Sequence, residues 1–165
     1  GGKLGAVLSH EEQFGALAAA LIAEKLGLPG TNVEAILKLQ HKYVCREIIQ
    51  KVAPENNLVY SILDARVGGV PSTSKLDFPI FVKPIKASFS VLARRIDAAD
   101  ELLEHVRFKP FEKHIIERLI KPFDDICQNR LDTSVDARCM LVEQNIRAEQ
   151  FNLDGYVYQN KGWCF

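Results

Sequence analysis

The segment FPIFVKPIKASFSVLARRI, Phe78 to Ile96, decides how this chain is read. Two apolar runs, Pro79 to Val82 and Phe89 to Ile96, flank Lys83-Pro84-Ile85-Lys86-Ala87-Ser88, a connection short enough for a hairpin with an elaborated tip. Proline fixes its own φ and biases the residue before it towards extended geometry. Lys83 therefore leaves the first strand at a fixed place and direction. Ser88 and Ser90 lie on the same loop and, with its backbone amides, could close over anionic oxygens. On these residues alone the segment also fits a solvated lysine at a hairpin tip beside ordinary turn serines.

Upstream, Gly5 to Ser9 reads as a short buried strand, and a helix follows from about Glu11, with Phe14, Leu17, Ala18, Leu21 and Ile22 at helical spacing. Gly27 and Pro29 stop it. Thr31-Asn32-Val33-Glu34 has the pattern of a capping box, with Thr31 as the cap of a helix running to about Val52. Leu58 to Leu63 is expected to be a strand, and the Gly, Ser, Thr and Pro residues between Ala65 and Asp77 mark a connection. Downstream, Asp97 is expected to cap a helix through about Val106. Phe111 to Cys127 has helical spacing broken or kinked at Pro122, and Asp124-Asp125 reads as part of its solvated face. Met140 to Val142 reads as a buried strand and Phe151 to Tyr158 as an alternating one, with a turn at Asn160-Lys161-Gly162. Only three residues follow that turn, so the natural polypeptide is expected to continue.

Composition narrows the function. The chain has 165 residues, with 21 basic and 21 acidic side chains, so no global field draws it to nucleic acid or to an anionic membrane. Its longest apolar stretches fall short of the roughly 20 residues of a membrane helix. Four separated cysteines, Cys45, Cys127, Cys139 and Cys164, form no metal-binding or disulfide pattern and fit a reduced, cytoplasmic setting. The scattered histidines read as non-ligands. Of Arg94 and Arg95, one is expected to face solvent. Neither a G-x-x-x-x-G-K-[ST] loop nor a G-x-G-x-x-G fingerprint is present.

Three segments in order resemble the ATP-grasp superfamily, of the carboxylate-amine or carboxylate-thiol ligase type. Phe78 to Ile96 is similar to its lid hairpin, in which a V-K-P lysine binds nucleotide phosphates under a Ser/Gly-rich loop. Gly27-Leu28-Pro29-Gly30, with Asn32, Glu34, Lys42 and Arg46, resembles a family helix whose lysine also contacts phosphate. Met140 to Gly155 looks like the hinge strand that binds adenine through its backbone and first acidic residues. The resemblance implies a truncated ATP-grasp fold, α/β with an α+β lid. Residues 1–65 would be the end of an N-terminal α/β subdomain with its linker helix, 72–138 the lid, and 139–165 the start of the large subdomain. It also implies ATP and Mg2+ as cofactors, with the metal ligands downstream of this chain. A carboxylate would be activated as an acyl phosphate and attacked by an amine or another nucleophile. The fragment alone is expected to be inactive; oligomers are possible.

Carried over residue by residue, the resemblance assigns Lys42 and Lys83 to the phosphates and Ser88 and Ser90 to the lid contacts. Glu143, Gln144, Asn145 and Ile146 become the adenine hinge, and Gln150 falls at the ribose position. The departures are specific. His41 replaces an aspartate, Ala148 a glycine, and Gln150 the ribose-binding glutamate; Glu149 could substitute only by a register slip that turns it to the other face of a strand. The lid loop has no glycine, so it should be stiff and lean on serine hydroxyls. These departures also fit a degenerate nucleotide-binding or interaction module that performs no ligation. A third reading is a plain structural α/β domain with coincidental motifs.

Overall fold

The structure is a computed structural model that describes residues 3–65, 76–87, 90–159 and 161–164, except for the side chains of Ile115 and Leu119. Three helices lead: α1 (Phe14–Leu26), α2 (Val33–Gln40) and α3 (Lys42–Val52). Gly27 ends α1 at φ 64°, the left-handed conformation glycine adopts without a Cβ penalty, and Leu28 N–H reaches back to the Ala23 carbonyl at 2.9 Å. Asn32, not Thr31, caps α2, because its Oδ1 accepts from Ala35 N–H at 3.0 Å. The single helix expected to Val52 is two. His41 leaves helical geometry (φ −86°, ψ 92°), and its ring Nδ1 accepts from Val44 N–H at 3.3 Å, capping α3. Gly5 to Ser9 forms no strand; its backbone pairs with no strand among the described residues, and most of it is exposed.

Four strands form one antiparallel sheet in the order β1 (Tyr60–Leu63), β4 (Met140–Gln144), β2 (Ile80–Pro84), β3 (Arg94–Ile96). Its strands come from all three of the intervals outlined above. The two central strands are the most buried, as their place between two neighbours requires. Alternation then divides the sheet. Val142, Met140, Val82, Ile80, Ile96 and Leu63 pack on one face with Leu76 and with Leu102 of α4 (Ala99–His105). Leu141 and Tyr60 face the other way, into a core with Leu17, Val33, Leu37, Phe123 and Cys127. The edge strand β3 presents Arg94 and Arg95, paired with Glu101 and Asp97, and such charges discourage edge-to-edge association. Neither arginine approaches Glu143.

Asp97 does not cap α4; its N–H donates to Glu101 Oε2 at 2.8 Å. A helical stretch follows as α5 (Pro110–Ile115), a wider π turn at Ile116–Ile120, and α6 (Lys121–Arg130). Pro122 explains the break, since it lacks an N–H and its ring crowds the carbonyl four residues back. Asp124 is 6% exposed, so it is not on a solvated face; Oδ1 accepts from Ala137 N–H at 2.7 Å and ties α6 to the approach to β4. Beyond β4, the expected strand from Phe151 shortens to β5 (Gly155–Tyr158), which among the described residues pairs only with β6 (Lys161–Cys164). Tyr156 stacks on Trp163 at 5.1 Å, and a Cβ on Gly155 would meet the Trp163 carbonyl at 2.3 Å. Asn160, the first residue of the expected turn, lies outside the described residues.

Candidate functional site

The register of β2 on β4 builds the centre. Phe81 faces Glu143 and Lys83 faces Leu141, so Lys83 and Glu143 are diagonal neighbours on the face that carries Leu141 and Tyr60. Lys83 Nζ lies 2.6 Å from Glu143 Oε2, and Arg46 Nε, from α3, donates to Oε1 at 2.7 Å. Glu143 is 3% exposed, which a carboxylate tolerates only when paired and hydrogen-bonded. Asn57 accepts from Arg46 at 3.4 Å and steadies the guanidinium.

Lys42 opens α3 beside this cluster. Its Nζ donates to the carbonyls of Ala87 (3.2 Å) and Ile85 (3.4 Å), and its backbone N–H to Ile85 at 3.3 Å. Burial, then the nearby charge of Lys83, brings its pKa down to about 8, with Glu143 pulling the other way. Lys42, Lys83, Arg46 and Glu143 together carry an excess of two positive charges, held by strand register, a helix start and a loop. Such a cluster is suited to polyanionic oxygens.

The other expected residues are placed as follows. Ser90 is exposed, at the tip of the lid loop, with φ 55°, and Leu92 has φ 57°, so this glycine-free loop holds two ordinary residues in the glycine-favouring region. His105 Nε2, whose pKa burial lowers, is 3.0 Å from the Leu92 carbonyl and braces that turn. Ser88 lies outside the described residues. Gln144 ends β4 with an exposed side chain, and its N–H donates to Val59 at 2.9 Å. Asn145 and Ile146 leave the sheet just after it, while Gln150 and Glu149 are exposed on the following stretch. The structure thus brings Lys42, Lys83 and Glu143 together, and Gln150 is not part of that cluster.

Two participants carry no site role in the sequence reading, although Arg46 lies in the family-like helix segment. Arg46 pairs with a carboxylate 97 residues away, a link that no local spacing reveals. Lys86 looked like a second tip lysine, yet it is 1% exposed. Its Nζ donates to Gln40 Oε1 (2.7 Å) and Gln13 Oε1 (2.8 Å) and sits 4.7 Å and 4.8 Å from the ring centroids of Phe123 and Phe14. Burial, then Lys42, lowers its pKa to about 8. The phenyl rings at positions 14 and 123 were the only sequence signal, and they acquire meaning only once α1 and α6 converge.

A groove of about 890 Å³ opens elsewhere, between α2, α3 and residues 130–134, and none of the expected site residues lines it. No helix among the described residues is long and apolar enough to cross a membrane.

The chain has the α+β architecture of part of an ATP-grasp fold, with helices against an antiparallel sheet and Lys83 near the end of the central strand β2. Its fold is similar to that in the crystal structure of L-amino acid ligase from Bacillus licheniformis, with a TM-score of 0.59 at 20% sequence identity. The match covers 90% of this chain and 28% of that one, so the chain spans little more than a quarter of the ligase's length. No family model matches the sequence, and no curated protein matches it.

Proposed function

We propose that this chain supplies the ATP-binding portion of an ATP-grasp ligase that activates a small-molecule carboxylate as an acyl phosphate for attack by an amine or another nucleophile. The observation that carries the reading is the buried carboxylate of Glu143 holding Lys83 and Arg46 beside Lys42, a fixed cluster with excess positive charge on the four-stranded sheet. In this reading Lys42 and Lys83 neutralise phosphate oxygens, Ser88 and Ser90 close over them, the main chain from Glu143 to Ile146 meets adenine, and Gln150 meets the ribose. An amide at that last position hydrogen-bonds a diol without charge assistance, which makes the ribose contact weaker than a carboxylate's. The work of such a site is alignment and charge neutralisation. The ligase named above supports the fold of this reading, and a cytoplasmic location accords with it.

Among the described residues no group of three or more His, Cys, Asp or Glu side chains could hold a metal ion, so these residues do not fit the binding of magnesium.

One observation favours the second reading, a nucleotide-binding or interaction module that performs no ligation. Lys83 already has a carboxylate partner at 2.6 Å, and a phosphate must compete with it. Calorimetric titration with ATP and with adenosine tests the phosphate site on which the proposed function rests. Micromolar ATP binding that far exceeds adenosine binding supports the nucleotide site; absence of ATP binding overturns it.

A further inference from the structure

We propose that Lys86 is a positioning residue that aims Lys42 at the bound phosphates, an inference that rests on the ATP reading above. Lys86 is buried and reaches away from Glu143, into a cage of two glutamine oxygens and two phenyl faces. The cage joins three helices: Gln13 and Phe14 at the start of α1, Gln40 at the end of α2, and Phe123 on α6. Its amides are oriented, because Gln40 Nε2 donates to the carbonyls of Gln13 (2.9 Å) and Glu12 (3.2 Å), leaving Gln40 Oε1 to accept from Lys86.

The consequence lies in the residues on either side. Ile85 and Ala87 flank Lys86, and their carbonyls are the two acceptors that hold Lys42 Nζ. Ile85 N–H is bonded to the Cys139 carbonyl at 3.0 Å, which fixes one end of the tripeptide to the approach to β4. Lys86 fixes its centre. Without that anchor the two carbonyls lose their common orientation, and Lys42, with no carboxylate among its own hydrogen-bond acceptors, loses what directs it. A lysine at a hairpin tip would ordinarily be solvated; this one is removed from water with amide oxygens as its hydrogen-bond acceptors and the Glu11 carboxylate acting on it only through space, a costly arrangement that positioning a neighbouring cation explains.

The test is a double-mutant cycle between Lys42→Met and Lys86→Met, read by calorimetry with ATP and adenosine. Lys86→Met is expected to weaken ATP binding about tenfold, the scale of one charge-assisted contact, and to leave adenosine unchanged. In the Lys42→Met background the same substitution is expected to have no further effect. Should Lys86→Met fail to fold, Gln13→Leu, at a half-exposed helix end, removes one acceptor of the cage and must reproduce the pattern. A full tenfold loss that persists in the Lys42→Met background overturns the proposal, because Lys86 would then act independently of Lys42. Lys42→Met weakening ATP while Lys86→Met and Gln13→Leu do not overturns it and leaves the nucleotide site standing. If neither Lys42→Met nor Lys83→Ala alters ATP binding, the site reading fails and the positioning role falls with it.

Discussion

Lys83 Nζ and Glu143 Oε2 meet at 2.6 Å on one face of the sheet, diagonally across the pairing of β2 with β4. A one-residue slip in that pairing would turn one of them to the opposite face, among Val82, Met140 and Val142, so the ion pair and the register specify each other. The same contact sets the chemistry, because Lys83 arrives at any anion already oriented and already partly neutralised.

Substituting Lys83 with alanine should weaken ATP binding by about 1.5 to 3 kcal/mol, the range for a charge-assisted contact, or roughly tenfold and more. Adenosine binding should barely change if Lys83 meets the phosphates, as proposed. Calorimetry that returns equal losses for both ligands would assign Lys83 to the fold instead of to phosphate.

Glu143→Gln tests the centre from its other side. Removing one partner of a buried pair typically costs several kcal/mol, because it leaves charge uncompensated; here Lys83 and Arg46 keep about a fifth of their side-chain surface exposed, which lowers the expectation to about 2 kcal/mol. Urea unfolding should show the loss as a lower midpoint at unchanged slope. A variant as stable as the parent would mean that the two cations find water as good a partner as the carboxylate.

How much of this was legible depended on whether the signal was local. The strand from Ile80 to Pro84 and the buried run Met140 to Val142 announce themselves by β-branched and apolar residues, and Pro84 announces the place of Lys83. The break at His41 was invisible, because helical spacing continues through Lys42 to Val52 and a histidine ring acting as an N-cap leaves no spacing of its own. Asp124 read as solvated for the same reason: its short hydrogen bond, 2.7 Å, comes from a backbone amide in the loop after the helix, while the Gln128 amide at helical spacing reaches it only at 3.4 Å. Gly5 to Ser9 has the composition of a strand, but a strand needs a neighbour and none of the described strands pairs with it. The burial of Lys86 was not legible because its cage comes from three helices brought together only by the fold.

At position 142 the backbone and the side chain have separable roles. Val142 is fully buried on the face opposite the ion pair, among Met140, Val82 and Ile96, so Val142→Asp places an unpaired carboxylate in hydrocarbon. Loss of cooperative unfolding and of near-ultraviolet dichroism is expected. Gln144, two residues on, has an exposed side chain while its N–H is engaged by Val59, so Gln144→Ala should keep the fold and alter the preference for ATP over GTP only mildly. Abolition of nucleotide binding by Gln144→Ala would show that the side chain, not the main chain, reads the base.

The pH dependence follows from Lys42. Burial and the neighbouring Lys83 place its folded-state pKa at about 8, below the ordinary 10.5, so between these values the unfolded chain binds more protons than the folded one. Stability contributed by this group therefore rises with pH across that window, the opposite of a lysine that gains a carboxylate partner. ATP reverses the sign. Phosphate oxygens favour the protonated ammonium and raise its pKa in the complex, so binding near and above pH 8 takes up a proton, and affinity falls as pH climbs through that range. Titrations at pH 8.5 in two buffers of different ionisation enthalpy should give apparent enthalpies that differ in the sense of proton uptake, and Lys42→Met should remove the difference. Proton release, or a buffer dependence untouched by Lys42→Met, would mean that the bound phosphates lie away from this lysine.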